Sequence, residues 1–317
     1  MNGRHFCKFM ARPFLKWAGG KTQLLGEIGK RLPLCPESGY DYVEPFLGGG
    51  ALFFHLQEKG MINTALLNDT NPELILCYLA VRDHVEELID ELKRYEEEEI
   101  PEEMEARKTH FFKTRDEVWN KSLCTDPLRM APTHMVERVT LTIYMNKACF
   151  NGLFRVNRDG EFNTPFGFPK NKNICDEAVL RNASKALENV ELRSDDCFEL
   201  EIDSQKRNFV YFDPPYRPIT ETSFTAYDKS GFNDSHQRKL KDLAYCLRDK
   251  GVNVLISNSD PKNYFPNDEF FDDLYKHLFI DRISARRMVN SDGDKRGKIK
   301  EILVRSYEET IEEFHNK

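Results

Sequence analysis

The sequence predicts an α/β protein built around a parallel sheet, and three stretches support this prediction. YDYVEPFLGGGALFFHLQEKG is typical of a short strand, a glycine turn and a helix. INTALLNDTNPELILCYLAVRD repeats that order, and the apolar runs FVYF and VNVLISNS follow later. Consecutive β-α units give parallel strands joined by crossovers, so we expect a ligand at the carboxyl ends of the strands.

The individual elements can be predicted in chain order. KTQLLGEIGKRLP follows the loop WAGG, has apolar positions at helical spacing and ends at a proline, which predicts a helix. A second strand is predicted at Ala65 to Asn68, and the segment from 105 to 146 is expected to be mostly helical. Further elements are a strand in NVELRSDDCFEL, a helix near Ser235 to Lys250, and a final pair around FIDRISARRMVN and KIKEILVRSY.

One segment interrupts this alternation. NKACFNGLFRVNRDGEFNTPFGFPKNKN is rich in Asn, Gly, Arg and Phe, and has hairpin-like turns at RDG and FG. A long loop-rich insertion is usually functional or disordered, and its aromatic residues argue against disorder. The chain of 317 residues is long enough for one large domain or for one domain with such an insertion.

Composition narrows the class of protein. The eight cysteines form no CxxC pair and no Cys/His cluster at zinc spacing, so we expect reduced thiols, no disulfide framework and no metal. The sequence has no signal-peptide pattern and no run of eighteen apolar residues, which predicts a soluble cytosolic protein.

Charge is unevenly distributed along the chain. The net charge is −7, but residues 86–105 alone contribute −9, so the rest sums to about +2. Residues 282–300 contain seven basic and two acidic side chains, enough for a surface that faces phosphates. The alternative interpretation of residues 282–300 is an ordinary solvated surface. The acidic residues 86–105 are interpreted as a solvated helix end.

The glycine turn in EPFLGGGAL suits a bound nucleotide-like cofactor, because glycines permit positive φ and close approach of the backbone. Asp69, about 20 residues further on, is placed to bind the hydroxyls of a ribose. Each feature has a structural alternative, since a glycine turn joins any strand to any helix and Asp69 could cap the next helix. Trp17 in FLKWAGGK could equally be a core residue.

The segment FDPPY places a carboxylate, two proline carbonyls and an aromatic ring at a strand end. That set suits a planar exocyclic amine, whose lone pair is delocalised into its ring. Hydrogen bonds from its two hydrogens to the Asp213 carboxylate and the Pro214 carbonyl would localise the lone pair on nitrogen. Tyr216 is placed to stack on the ring.

Taken together, FLKWAGGK, EPFLGGGAL, NDTNPEL, NKACFNGLFRVNRDGEFNTPFG and DPPY closely resemble the Dam-like (D12 class) DNA adenine N6-methyltransferases, from about Pro13 to Tyr307. The resemblance implies a Rossmann-like sheet that binds S-adenosyl-L-methionine (SAM), with an inserted, mostly helical and hairpin DNA-recognition domain. It implies a catalytic, SAM-binding methyltransferase domain formed by 1–75 and 175–317, and an inserted target-recognition domain at 76–174.

The resemblance also implies site residues. The catalytic set is Asp213, Pro214, Pro215 and Tyr216. The cofactor set is Trp17, Lys21, Glu44, Phe46, Gly48, Gly50, Asp69, Asp196 and Asp213, although the doubled Asp195/Asp196 leaves the register of the adenine-binding acid open.

The DNA-contacting set is Lys16, Phe150, Asn151, Leu153, Arg155, Asn157, Pro165 and Arg296. Arg155 is the expected guanine reader, because its fork can bond O6 and N7 of one guanine. Phe150 and Asn151 are expected to act at the base step opened by flipping, and Lys16 at the first guanine.

The implied reaction is direct transfer of a methyl group from SAM to N6 of a flipped adenine in double-stranded DNA, within GATC. We expect a monomer, or a dimer on DNA, in the cytoplasm at the nucleoid. The alternatives are a methyltransferase of RNA or protein amides, which more often has Asn before PPY, and a DNA-binding protein that has lost catalysis. The biological setting stays open among a restriction-modification partner, a solitary regulatory enzyme and a phage enzyme.

Overall fold

The computed structural model describes residues 11–124, 126–217, 232–286, 298–308 and 310. The strands are β1 (Tyr40–Glu44), β2 (Ile62–Asn68), β3 (Glu191–Arg193), β4 (Phe209–Phe212), β5 (Asn253–Ser259), β6 (Phe279–Arg286) and β7 (Lys298–Arg305). The α-helices are α1 (Leu25–Gly29), α2 (Ala51–Glu58), α3 (Pro72–Asp83), α4 (Val85–Glu98), α5 (Met104–Lys113), α6 (Pro132–Ala148), α7 (Glu177–Ala186), α8 (Asp234–Asp249) and α9 (Phe270–Leu274). A π-helical turn, Thr114–Trp119, follows α5.

The strands form one sheet in the order β3-β2-β1-β4-β5-β7-β6. β1 is parallel to β2 and to β4, and β4 is parallel to β5, whereas β7 is antiparallel to both β5 and β6. The strand order reverses between β1 and β4, which is where ligands bind in open α/β sheets. Glu44 ends β1 and Asp213 follows β4, so both carboxylates lie at the same edge of the sheet.

This arrangement confirms the predicted α/β class and the predicted strands and helices. The antiparallel direction of β7 and the helices α7 and α9 were not predicted. β7 pairs with β5 and β6 over most of its length, and such long-range pairing leaves no local pattern in the sequence.

The chain divides into two compact units. The first contains Met1–Gly20, Gly48–Lys59 and Asp69–Ser194, and the second contains Lys21–Leu47, Gly60–Asn68 and Asp195–Lys317. The core of the second unit consists of side chains from β1, β4 and β5 together with α8, such as Val43, Val210, Leu240 and Ile256. The functional division at residues 76 and 174 stays a prediction.

The acidic segment forms most of α4, whose buried face carries Leu88, Ile89, Leu92 and Tyr95. Several of its acids have structural partners. The Glu96 carboxylate accepts hydrogen bonds from the backbone N–H groups of Ile174 and Cys175 at 2.7 and 3.1 Å. Most of the segment is thus an amphipathic helix with a solvated face, and its Glu96 carboxylate also holds the backbone at Ile174 and Cys175.

Among the described residues, no helix combines the length and the apolar character needed to cross a membrane.

Candidate active site and candidate DNA-contacting hairpin

β4 is buried along its whole length and delivers Asp213 at its carboxyl end. One carboxylate oxygen of Asp213 accepts a hydrogen bond from Ser257 Oγ at 2.7 Å, and the other forms an ion pair with Lys21 Nζ at 2.9 Å. Tyr211 OH lies 3.0 Å from Ser257 Oγ and extends this network into the sheet. Each carboxylate oxygen has two lone pairs, so Asp213 keeps acceptor capacity while its orientation is fixed.

The backbone after Asp213 is also fixed. Gln237 Nε2 donates to the Pro215 carbonyl at 3.3 Å. The N–H of Arg217 donates to Asn258 Oδ1 at 3.1 Å, and Ser259 Oγ donates to the Arg217 carbonyl at 2.5 Å. Pro214 is buried within this segment. The end of β5 and the helix α8 therefore both hold the backbone of the 213–217 segment.

Tyr216 completes the segment. Its hydroxyl donates to Glu301 Oε2 at 2.7 Å, and the Lys21 ammonium lies 4.5 Å from the centroid of its ring. Burial, together with the carboxylates of Asp213 and Glu301, raises the pKa of Tyr216 well above its ordinary value. The phenol is therefore a hydrogen-bond donor and not an acid in this environment.

The loop after β1 carries two of the predicted cofactor residues. Glu44 is only 2% exposed, and its carboxylate accepts a hydrogen bond from Tyr42 OH at 2.9 Å. Phe46 packs edge-on against Phe212 and Phe232. Both side chains are thus held by the second unit.

The glycine turn lies in the first unit. Gly48 and Gly50 have φ values of 50° and 64°, which favour glycine. A Cβ on Gly48 would lie 3.1 Å from Cδ1 of the Trp17 indole, so the backbone comes close to that ring. Trp17 itself stacks on Phe154 with ring centroids 5.2 Å apart. The Trp17 ring therefore lies against the glycine turn and also packs on another aromatic side chain.

Asp69 closes the same turn. Its carboxylate accepts from the Gly48 N–H at 2.9 Å and from the Asn71 N–H at 3.0 Å. Burial raises the pKa of Asp69, although these two hydrogen bonds oppose the shift. The N-cap of α3 is Asn71, which accepts from the N–H groups of Glu73 and Leu74, so the capping alternative for Asp69 is wrong.

Asn68, immediately before Asp69, is fully buried and holds two loops of the second unit. Its amide nitrogen donates to the Pro45 and Asp195 carbonyls at 3.0 Å each, and its amide oxygen accepts from the Asp195 N–H at 2.8 Å. Asp195 is thus bound through its backbone. The exposed Asp196 caps the following turn through a 2.9 Å bond from the Phe198 N–H.

A second buried asparagine, in the first unit, holds residues that are predicted to contact DNA. Asn146, 1% exposed, donates to the carbonyls of Lys16 and Gly152 at 2.8 and 3.0 Å and accepts from the Lys16 N–H at 3.1 Å. Gly152 has φ 66°, and a Cβ there would lie 2.6 Å from Lys16 Cδ. The structure therefore brings Lys16 next to the Phe150–Gly152 turn.

Residues 149–166 form a hairpin, with antiparallel bridges Cys149–Phe166 and Val156–Phe162. Phe150 is 53% exposed at its base, and the neighbouring Asn151 is exposed with φ 58°. Leu153 is half-buried, and its carbonyl accepts from Thr164 Oγ1 at 2.6 Å. Phe150 and its neighbour Asn151 thus point away from the core.

The outer part of this 149–166 hairpin holds the other predicted contacts. The exposed Arg155 donates from Nε to Asn163 Oδ1 at 2.7 Å. Asn157 closes the turn, since its amide oxygen accepts from the N–H groups of Asp159 and Glu161 at 2.9 Å each. The carbonyl of the exposed Pro165 accepts from the Phe150 N–H at 2.8 Å.

Arg296, the remaining predicted DNA contact, lies outside the described residues. Arg282, in the same basic stretch, forms ion pairs with Asp260 at 3.1 Å and Asp272 at 2.7 Å. Over the described part of the chain, no group of three or more His, Cys, Asp or Glu is arranged to hold a metal ion.

Sequence reasoning missed Ser257, Glu301, Gln237, Asn68 and Asn146, which hold the predicted residues in place. Ser257 and Glu301 lie 44 and 85 residues beyond the side chains they contact. Only the polar triplet SNS, at the end of an otherwise apolar strand, is a local signal for any of them.

The chain matches known proteins over nearly its whole length. Residues 17–289 match the sequence model of a family described as D12 class N6 adenine-specific DNA methyltransferase. The chain is 41% identical to the Type II methyltransferase M.MjaIII of Methanocaldococcus jannaschii, over 93% of this chain and 99% of that protein. It is 38% identical to the Type II methyltransferase M1.LlaDCHI of Lactococcus lactis (95% and 97%), and 33% identical to the DNA adenine methylase of Haemophilus influenzae (94% of each chain).

Proposed function

Because the chain belongs to the D12 class of N6 adenine-specific DNA methyltransferases, we propose that it uses SAM to methylate a flipped adenine within GATC. Membership of the family establishes transfer of a methyl group to N6 of adenine in DNA, and implies SAM as the methyl donor. The proposal adds the recognition site, the extrusion of the base and the roles of individual residues. The fixed Asp213 carboxylate at the end of β4 is the observation that carries it.

The glycine turn has the features that a SAM site needs. The missing Cβ of Gly48 leaves room beside Trp17, and the Asp69 carboxylate has the lone pairs to accept ribose hydroxyl hydrogens. SAM, when bound, supplies a methyl group made electrophilic by its sulfonium. The residues proposed to hold it are Trp17, Lys21, Glu44, Phe46, Gly48, Gly50, Asp69 and Asp196.

The chemistry at the adenine is assigned to the 213–217 segment. The amine is a poor nucleophile until its lone pair is localised on N6. Asp213 and the Pro214 carbonyl are proposed to accept its two hydrogens, and the Pro215 carbonyl already accepts from Gln237. Because Ser257 and Lys21 hold Asp213 in advance, little reorganisation is needed when charge develops on N6.

Extrusion of the base follows from the chemistry. The N6 atom of adenine in a duplex is paired, and its ring is stacked between neighbours, so enzymes that act on such atoms take the base out of the helix. Tyr216 is proposed to stack on the extruded adenine. Phe150 and Asn151, exposed on the 149–166 hairpin, are proposed to fill the opened base step.

Recognition of GATC is assigned to the same hairpin. Arg155 is exposed, and its guanidinium group has the two donors that can bond O6 and N7 of one guanine. Lys16 lies beside the Phe150–Gly152 turn. Asn157, which closes the turn of the hairpin, is a further proposed DNA contact. The similarity to proteins named DNA adenine methylase supports adenine in DNA as the target within this site.

The setting is proposed to be restriction-modification, because the two relatives at 41% and 38% identity are both named Type II methyltransferases. The enzyme is proposed to act as a monomer, or as a dimer on DNA, on double-stranded DNA in the cytoplasm at the nucleoid.

The test is to incubate unmethylated plasmid with the purified protein and SAM, and to sequence it for N6-methyladenine by position. Methyl groups confined to GATC are expected, with none in a reaction that lacks SAM. Methylation at a different adenine-containing site would reject the role of Arg155 while keeping that of Asp213. Methylation spread over all adenines would reject site recognition by the hairpin altogether.

A further inference from the structure

Glu301 is a carboxylate on an interior strand of the sheet. It lies on β7, opposite Ser259 of β5 and Ile283 of β6. Burial raises its pKa above the ordinary value, the hydrogen bond from Tyr216 and the Lys21 charge lower it, and the Asp213 charge raises it further. Burying a carboxylate is unfavourable unless it is bonded, so packing alone gives no reason for an acid here.

The partner of Glu301 is the aromatic residue of the proposed catalytic set. The 2.7 Å bond from Tyr216 OH fixes the tip of the ring. The Lys21 ammonium, 4.5 Å from the ring centroid, lies over one face, and the same ammonium holds Asp213 at 2.9 Å. Glu301 and Lys21 therefore fix the ring of Tyr216 and the carboxylate of Asp213 within one network.

We propose that Glu301 is a positioning residue, which orients the Tyr216 ring so that the target adenine stacks on it with N6 directed at Asp213. This inference rests on the proposed function, since it assumes that Tyr216 receives the extruded base. A free phenol ring rotates about two side-chain torsions, and a near-attack arrangement tolerates only small errors of placement. The bond to Glu301 removes that freedom before the base arrives.

The test compares single-turnover methylation rates of wild type, Glu301→Ala, Glu301→Gln, Tyr216→Phe and the double variant Glu301→Ala/Tyr216→Phe. The duplex carries the site that plasmid sequencing identifies, so an error in assigning GATC does not affect the result. Glu301→Ala and Tyr216→Phe are each expected to slow the methyl-transfer step about tenfold, because each removes the same charge-assisted bond.

Glu301→Gln is expected to stay within about threefold of wild type, because its amide oxygen accepts the same O–H hydrogen bond. The double variant is expected to be no slower than either single variant, because both changes remove one interaction. The KM for SAM is expected to change less than twofold. Tyr307→Phe is the matched control, since it removes a 2.7 Å bond to the Arg31 carbonyl elsewhere in the second unit, and we expect no change of rate.

A wild-type rate for Glu301→Ala would overturn the inference, and so would losses that multiply to about a hundredfold in the double variant. Equal losses in Glu301→Gln and Glu301→Ala, accompanied by lower melting temperatures, would indicate a purely structural role. Fluorescence of 2-aminopurine at the target position separates the two proposals. If the fluorescence does not rise when the wild type binds, base flipping is rejected. The methylation rates of the variants would still test the coupling between Glu301 and Tyr216.

Discussion

Asp213 has a protein partner on each carboxylate oxygen, whereas the Phe150 ring is 53% exposed. The same contrast extends through the two regions. In the 213–217 segment the backbone is bonded to α8 and to the end of β5. In the 149–166 hairpin, Arg155 and Asn157 bond to other residues of the hairpin itself. The difference fits the proposed roles, since catalysis by the 213–217 segment would require groups fixed in advance and DNA reading by the hairpin would require groups that can change partners.

Replacing Asp213 with Ala is expected to have the largest effect of all these changes, through loss of catalysis by the fixed 213–217 segment. We expect kcat to fall by about 10²–10³ or more, because a preorganised group that acts on developing charge is lost. Binding of a duplex, measured by fluorescence anisotropy, should stay within a few-fold of wild type. A variant that turned over at the wild-type rate would remove Asp213 from the chemistry.

Replacing Arg155 with Ala should show the opposite pattern. Discrimination against a substituted guanine should fall by about 1–3 kcal/mol, because one bidentate base contact is lost. The measurement is kcat/KM on duplexes that differ at each position of the site. Arg158→Ala, at an exposed position of the same hairpin, is the matched control and should leave discrimination unchanged. Equal losses on every duplex would mean that Arg155 contacts only phosphate.

Two buried asparagines extend the comparison to the proposed cofactor and DNA contacts. Asn68 holds the loops at Pro45 and Asp195, and Asn146 holds Lys16 and the hairpin residue Gly152, each by two donated bonds and one accepted bond. Asn68→Asp should raise the KM for SAM about tenfold, because a carboxylate would face the carbonyls of Pro45 and Asp195. Asn146→Asp should raise the KM for DNA by a similar factor. Each variant is the control for the other, and a parallel rise of both constants in both variants would indicate general loosening.

The smallest effect is expected in the stability of Glu301→Gln. Burial raises the pKa of Glu301 above its ordinary 4.5, so ionisation is less favourable in the folded protein than in the unfolded chain. The contribution of Glu301 to the stability of the wild type is complete below pH 4.5, the pKa of the unfolded chain, and is lost as the pH rises through the folded-state pKa. The melting temperature of the variant relative to wild type should therefore rise from pH 4.5 to pH 8, on the order of 1–3 °C. A difference that stayed constant or fell would contradict this direction.

The sequence predicted the parts of the molecule that local patterns encode. The apolar run before Asp213 predicts a strand, the prolines predict its end, and the glycines predict the turn at Gly48. The partners of these residues were not predictable, because Ser257 and Glu301 meet Asp213 and Tyr216 only through the pairing of distant strands. Asp69 was misread in one alternative because Asn71, two residues later, is an equally good cap and takes that place.

The bond between Arg155 and Asn163 has a consequence for how the enzyme travels along DNA. An arginine without a partner would lose its hydration at every non-cognate step and gain nothing in return. Arg155 keeps Asn163 as a partner, so on the proposed role its hydrogen bond would be retained while the enzyme slides over non-cognate sequence. A correctly placed guanine would offer two acceptors in exchange for Asn163. If Arg155 reads guanine as proposed, the hairpin would favour rapid search at the expense of some affinity at the final site.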